Sequence, residues 1–157
     1  MAIHFSNILL PTDFSEVAQP ATCYARELAQ TFGAHLHCIH VVDDAYQSWS
    51  AIGPESLPMG PPPEEMLELG RTRMKEFCAE AFADSDISTT THVAYGRPFA
   101  EIIAYANDNA IDLIVMGTHG RGAIAHMLLG STTEKVVRKA PCAVLTVRTG
   151  KEPFVMP

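Results

Sequence analysis

The strongest constraint on this chain is an alternation of two kinds of segment. Short, almost unbroken apolar runs such as "NILL", "CIHVV", "DLIVMG" and "AVLTV" are separated by longer stretches whose apolar residues recur at helical spacing. A strand that is apolar on both faces has none to give to water, so it belongs in a parallel sheet covered by helices on both sides. Strands are expected at "HFSNILL", "HLHCIHVVD", residues 87–95, "IDLIVMG" and "AVLTVR". The run 87–95 alternates like a half-exposed strand, which puts it at a sheet edge.

The intervening segments read as helices. In the first, Ala18, Ala21, Ala25, Leu28 and Phe32 share a face, Ser15 is the expected cap and Gly33 the stop. Pro20 lies too deep for a helix begun at Glu16, which moves the regular start a few residues on. The second spans 64–82 through Met66, Leu67, Met74, Phe77, Cys78 and Ala81. The third opens at Gly96 and Pro98 and turns Ile102, Ile103 and Ala106 inward; the fourth covers 131–139.

Five strands separated by four helices make a doubly wound α/β sheet with right-handed crossovers. Ligands of such sheets sit beyond the carboxyl ends of the strands, where the winding direction reverses. The loops of unusual composition follow strand one ("PTDFS") and strand four ("GTHGRG"), so these strands are expected to be neighbours, in the order 3-2-1-4-5. The flavodoxin-like order also puts strand one near the switch point.

With 157 residues, of which 47% are hydrophobic, the chain can bury a single core. One domain is expected over residues 1–148, with a loose tail at 149–157. Residues 45–63, dense in proline and glycine, form a long loop suited to be a lid. A formal charge of -7 argues against nucleic acid or an anionic membrane as a partner. The start shows no signal-peptide pattern and no apolar run approaches the ~18 residues of a membrane span, so the expected setting is cytoplasmic. Cys23, Cys38, Cys78 and Cys142 are scattered, without a CxxC pair, and read as reduced structural thiols.

The stretch "MGTHGRGAIAHMLLGSTTEKV" carries the chemistry. Gly117 follows a buried strand, and Gly120 and Gly130 complete a G-x2-G-x9-G spacing that leads into Ser131 and Thr132 at a helix start. Glycines let backbone amides approach an anion, and a helix N-terminus favours negative charge. Neither GxxxxGK[ST] nor a GxGxxG opening a helix directly after a strand is present, and turn-making alone is the competing reading of these glycines.

On these residues the sequence resembles the universal stress protein family, specifically its ATP-binding branch. The blocks that carry the resemblance are "NILLPTDFS", "HVVD", "DLIVMGTHGRG" and "LLGSTTEKVVRKAPCAVLTV", nearly the whole chain apart from residues 45–63 and the tail. The resemblance implies a Rossmann-like fold, a regulatory role in the stress response, and bound ATP with Mg2+. It assigns Pro11, Thr12 and Asp13 to the adenosine end, backbone groups of Val41 to adenine, and Met116 and Gly117 to the ribose side. Gly120, Gly130, Ser131 and Thr132 then form the phosphate cradle. Asp13 has a turn or capping role as its alternative, and His119 and Arg121 either touch phosphate or stand exposed in the loop.

"HLHCIH" raises a metal reading, but only His35 and His37 share a strand face, and no third ligand converges with them; no metal site is expected. Ser131 has no base partner legible in the sequence, and no loop lysine completes a hydrolytic centre, so no catalytic residue is assigned. Two functions stand against each other: a regulatory module that holds ATP with little or no hydrolysis, and a slow ATPase or other Mg-dependent phosphoryl-transfer enzyme. "AVLTVR", with no proline and no charge before its last residue, leaves a bare edge strand. A homodimer through 143–148 is expected from that edge and from the family resemblance, and an unidentified regulatory protein partner is compatible with it.

Overall fold

The structure, a computed structural model, describes residues 2–45, 60–119 and 129–148. Within them five strands, β1 (Asn7–Pro11), β2 (His35–Asp43), β3 (Thr89–Gly96), β4 (Leu113–Gly117) and β5 (Ala143–Val147), form one sheet. Its order is β3-β2-β1-β4-β5 and every pairing is parallel, as the two unusual loops implied. Four helices accompany it: α1 (Gln19–Phe32), α2 (Pro63–Ala81), α3 (Pro98–Asp108) and α4 (Ser131–Lys139).

The pleat divides the core in two. Ile8 and Leu10 point to one side with Leu36, Cys38, Leu113 and Val115, where Ala21, Ala25 and Ala29 of α1 and Met74 of α2 cover them. Leu9 points to the other side with Ile39, Ile114 and Met116, under Ile102 and Ala106 of α3 and Val136 of α4. Ile8, Leu9 and Leu10 are all completely buried, each stabilising the fold by about 1.5–3 kcal/mol through the area taken from water. A central strand covered on both sides therefore has an unbroken apolar sequence. At the β3 edge, residues 89–92 are exposed, in keeping with its half-polar pattern.

One helix cap and one helix residue differ from expectation. Ser15 does not cap α1 with its side chain; a 3-10 turn at Glu16–Ala18 comes first, and α1 begins at Gln19 with Pro20 in its first turn. There the missing proline N–H costs nothing, which resolves the tension at this proline. Ile103 is half-buried rather than turned fully inward, because Ile102 and Ala106 define the packed face of α3. Gly33 closes α1 in the left-handed conformation, φ 62°, as expected. Most of the expected lid, residues 46–59, lies outside the described residues, as does the tail at 149–157. Among the described residues, no helix is long and apolar enough to cross a membrane.

Candidate functional site

β1 and β4 lie side by side, so the turns that leave their carboxyl ends emerge together. The turn after β1 is pinned to β2. Thr12 N–H donates to the Ile39 carbonyl at 2.9 Å, and His40 Nδ1 donates to the Thr12 carbonyl at 2.8 Å. The Thr12 hydroxyl, buried, accepts the Phe14 N–H at 3.0 Å. Asp13 Oδ1 accepts both the N–H and the hydroxyl of Ser15, at 3.0 and 2.5 Å. The turn role weighed for Asp13 is thus realised, and it holds Ser15 in the turn that precedes the 3-10 segment.

Phe14 takes φ 62°, a left-handed conformation that costs a bulky residue energy and persists where its surroundings hold it. Its ring packs 4.4 Å from His40, centroid to centroid, with Phe77 of α2 at 5.8 Å and the Arg73 guanidinium over its face at 5.6 Å. Hydrogen bonds fix the turn from beneath, and aromatic packing fixes it from the side.

The described residues on either side of the loop after β4 are held as firmly. A Cβ built on Gly117 would stand 3.3 Å from the His119 carbonyl oxygen and 3.4 Å from that of Val17, backbone atoms that have little room to give. Gly117 is therefore a contact between the two turns, required by close approach of backbone to backbone. Thr118 N–H donates to the Val147 carbonyl at 3.0 Å, carrying the β4–β5 ladder one step past the strand. The start of α4 is then fastened to β4 twice: Gly130 N–H donates to the Thr118 carbonyl at 2.7 Å, and the buried Thr133 hydroxyl donates to the Gly117 carbonyl at 2.9 Å. Gly130 is the N-cap residue and brings no side chain, so no side-chain bond caps the first-turn amides of α4.

Pro11, Thr12, Asp13, Met116, Gly117, His119, Gly130, Ser131 and Thr132 accordingly fall at the carboxyl ends of β1 and β4, just beyond them, or at the helix start bonded to the end of β4. Val41 stands on β2, beyond Ile39, the last residue of that strand paired with β1. Met116 is buried in the core, His119 is half-buried with Nδ1 3.1 Å from the Thr118 hydroxyl, and Ser131 is exposed. Gly120 and Arg121 lie outside the described residues. The basic residues of α4 are engaged elsewhere: Lys135 and Lys139 lie over the Phe99 ring at 4.9 and 5.8 Å, and Arg138 pairs with Glu134 at 3.0 Å.

Sequence reasoning missed Thr118, Thr133, Val17 and Phe14. Thr133 sits in "STTE" with nothing local to separate it from its neighbours, because its partner is a carbonyl in a different element. Phe14 carried a faint signal, an aromatic residue placed in a turn.

The histidine pair of β2 is bound into the strand surface. His35 reaches the Ser88 and Thr90 hydroxyls, both at 2.7 Å, and His37 reaches the Tyr105 hydroxyl at 3.0 Å. Burial, with a smaller contribution from His35 beside it, holds the His37 pKa below the usual imidazole value. Among the described residues, no group of three or more His, Cys, Asp or Glu is placed to hold a metal ion.

Comparison with known proteins agrees with this architecture. Residues 4–148 match the model of the universal stress protein family. A universal stress protein of Thermus aquaticus is 38% identical over 146 residues, covering 92% of this chain and 99% of the relative. The solved structure of the hypothetical protein MJ0577 superposes with a TM-score of 0.79 at 28% identity, covering 96% of this chain and all of that one. At 22% identity and a TM-score of 0.62, a universal stress protein solved in complex with cAMP shares the fold, covering 94% of this chain and 100% of its own. Family model, relatives and sheet order converge: this chain belongs to the universal stress protein family.

Proposed function

We propose that the protein binds ATP with Mg2+ at the carboxyl ends of β1 and β4, and that it is a regulatory module of the stress response which holds the nucleotide with little or no hydrolysis. The observation that carries this reading is the fastening of the α4 N-terminus to β4 through Gly130 and Thr133, beside the turn after β1. A helix N-terminus without a side-chain cap, reached by a glycine, favours anionic oxygens through unpaired amides and the helix dipole. The hydroxyls of Ser131 and Thr132 add donors there.

Pro11, Thr12 and Asp13 then border the adenosine end, Val41 offers backbone groups to adenine, and Met116 and Gly117 line the ribose side. Gly120, Gly130, Ser131 and Thr132 hold the phosphates, with His119 and Arg121 as secondary contacts. Mg2+, when bound, neutralises charge on those phosphates. Retention without cleavage is supported by the absence of a GK[ST] lysine from the loop and by the seating of Lys135 and Lys139 on Phe99. Residues 45–63 are proposed as the lid that nucleotide orders. The edge position of β5 supports a homodimer through 143–148, with a regulatory protein reading the occupied state.

Calorimetric titration with ATP and Mg2+ tests the site through Gly130→Val. Gly130 has φ -67° and ψ 156°, backbone that any residue adopts, so a side chain there brings no backbone strain and is expected to obstruct the phosphate. The expected result, at a temperature where both proteins are folded, is binding by the parent chain and affinity at least about tenfold lower, ~1.4 kcal/mol, in the variant, whose unfolding temperature falls only by what valine costs at an N-cap. Equal affinity in the two proteins contradicts the cradle. Sustained phosphate release that Asp13→Ala abolishes while binding persists turns the assignment into an ATPase.

A further inference from the structure

At the end of β2 farthest from the candidate site, two histidines stand on the face of the sheet that α3 covers. His35 and His37 flank the buried Leu36, which points to the opposite face, and their rings lie 4.7 Å apart at 75° to each other. β3 adds Thr90 and His92 to the same face, and α3 places the Tyr105 ring 5.8 Å from His37 and 5.0 Å from His92. His35 is spanned by the Ser88 and Thr90 hydroxyls, and His37 behind it is buried.

The partners of His37 fix which of its nitrogens carries the proton. Asn7 Nδ2 donates to the Ala110 carbonyl at 3.3 Å, which turns Asn7 Oδ1 toward His37 Nε2 at 3.4 Å. An amide oxygen only accepts, so Nε2 carries the hydrogen and Nδ1 is left to accept the Tyr105 O–H at 3.0 Å. Tyr105 is thereby tied to the strand by a bond that only neutral His37 can receive. A proton on Nδ1 makes that nitrogen a donor, obliges the tyrosine hydrogen to turn away, and sets a charge beside His35. The partners of the two rings are three hydroxyls and an amide oxygen, with no carboxylate among them to balance that charge. From β3, His92 faces Tyr105 as a further imidazole; beside β1, the Asp112 carboxylate is already engaged by the N–H groups of Ser6 and Asn7, at 2.7 and 2.9 Å.

We propose that His35, His37 and Tyr105 form an acid-operated latch, which fastens α3 to the sheet at neutral pH and lets it go as the imidazoles take up protons. The direction follows from linkage. Burial, and to a smaller degree His35 beside it, keeps the latched His37 below the usual imidazole pKa of 6.5, whereas in the released form the ring reaches water and titrates near that value. The released form therefore binds the proton more readily, so the latch is held above pH 6.5 and gives way as the pH falls below it. Ile102 and Ala106 pack on the sheet to either side of Tyr105 in the helix, so release at the tyrosine loosens that stretch of α3 while the central strand stays in place.

Hydrogen exchange of the native full chain, followed amide by amide from pH 7 to pH 5 and expressed as protection relative to the free-peptide rate, tests the latch. Protection of the amides of Ile102 and Ala106 is expected to fall by up to about tenfold for each pH unit below the usual imidazole value, the limit for one proton, and that of Leu9 and Leu10 in β1 to fall less. In His37→Gln, which takes up no proton there, the excess fall at α3 is expected to vanish. Tyr105→Phe lacks the hydroxyl and is expected to show lowered α3 protection already at pH 7, with little further fall, because the bond that the proton breaks is absent. An equal fall at α3 and β1 in the wild type overturns the latch whatever the variants do. An excess fall at α3 that survives either substitution overturns it as well.

Discussion

Individual residues of the site act through bonds across the fold more than through local propensity. Thr133 shows this most plainly, since its hydroxyl is the only part of the side chain that distinguishes it from valine, and that hydroxyl holds α4 against the Gly117 carbonyl. Thr133→Val keeps the shape and leaves the part-buried Gly117 carbonyl without that donor, at an expected cost of about 1 kcal/mol. The midpoint of urea unfolding reads this; an unchanged midpoint means that the bond does not fasten α4. His37 gives a pH signature. Its folded-state pKa lies below the unfolded value of roughly 6.5, so as pH falls through that value the unfolded chain takes up a proton that the folded chain resists. Stability is therefore full above the unfolded pKa and declines as pH drops below it. His37→Gln is expected to flatten this part of the profile measured by chemical unfolding between pH 7 and 5, and an unaltered slope refutes the assignment to His37.

At the scale of elements, packing overrides intrinsic preference at α2. Gly70 lies inside this helix, where alanine is normally favoured by about 1 kcal/mol. A Cβ there would stand 2.9 Å from Val93 Cγ1 and 3.4 Å from His40 Cδ2. Val93 is β-branched and held in β3, so the clash, on the order of 1–3 kcal/mol, outweighs the gain. Gly70→Ala is expected to lower the thermal midpoint; a raised midpoint indicates that α2 shifts freely over the sheet. The elements themselves were largely legible. Ile8, Leu9 and Leu10 announce a strand buried on both faces, and Pro20 announces that α1 starts late. The outcome at Ser15 was not legible, because the 3-10 turn at Glu16–Ala18 that takes the place of a capped α1 start follows a turn with Phe14 at positive φ, which no local pattern announces.

For the whole molecule, topology makes the site. Order β3-β2-β1-β4-β5 puts the crossover reversal between β1 and β4, and the unusual turns of the sequence leave the sheet at that point. Gly117 seals the two turns together, and the bonds from Gly130 and Thr133 set the start of α4 beside them. The proposed phosphate cradle of backbone amides is compatible with a net charge of -7, because amides need no cationic side chain to attract an anion. The most direct test of nucleotide retention is mass spectrometry of the small molecules released when freshly purified, extensively washed protein is denatured. The account predicts an adenine nucleotide in the released fraction of the parent chain, much reduced from Gly130→Val. Release of no adenine nucleotide, together with no calorimetric heat on adding millimolar ATP and Mg2+, contradicts it.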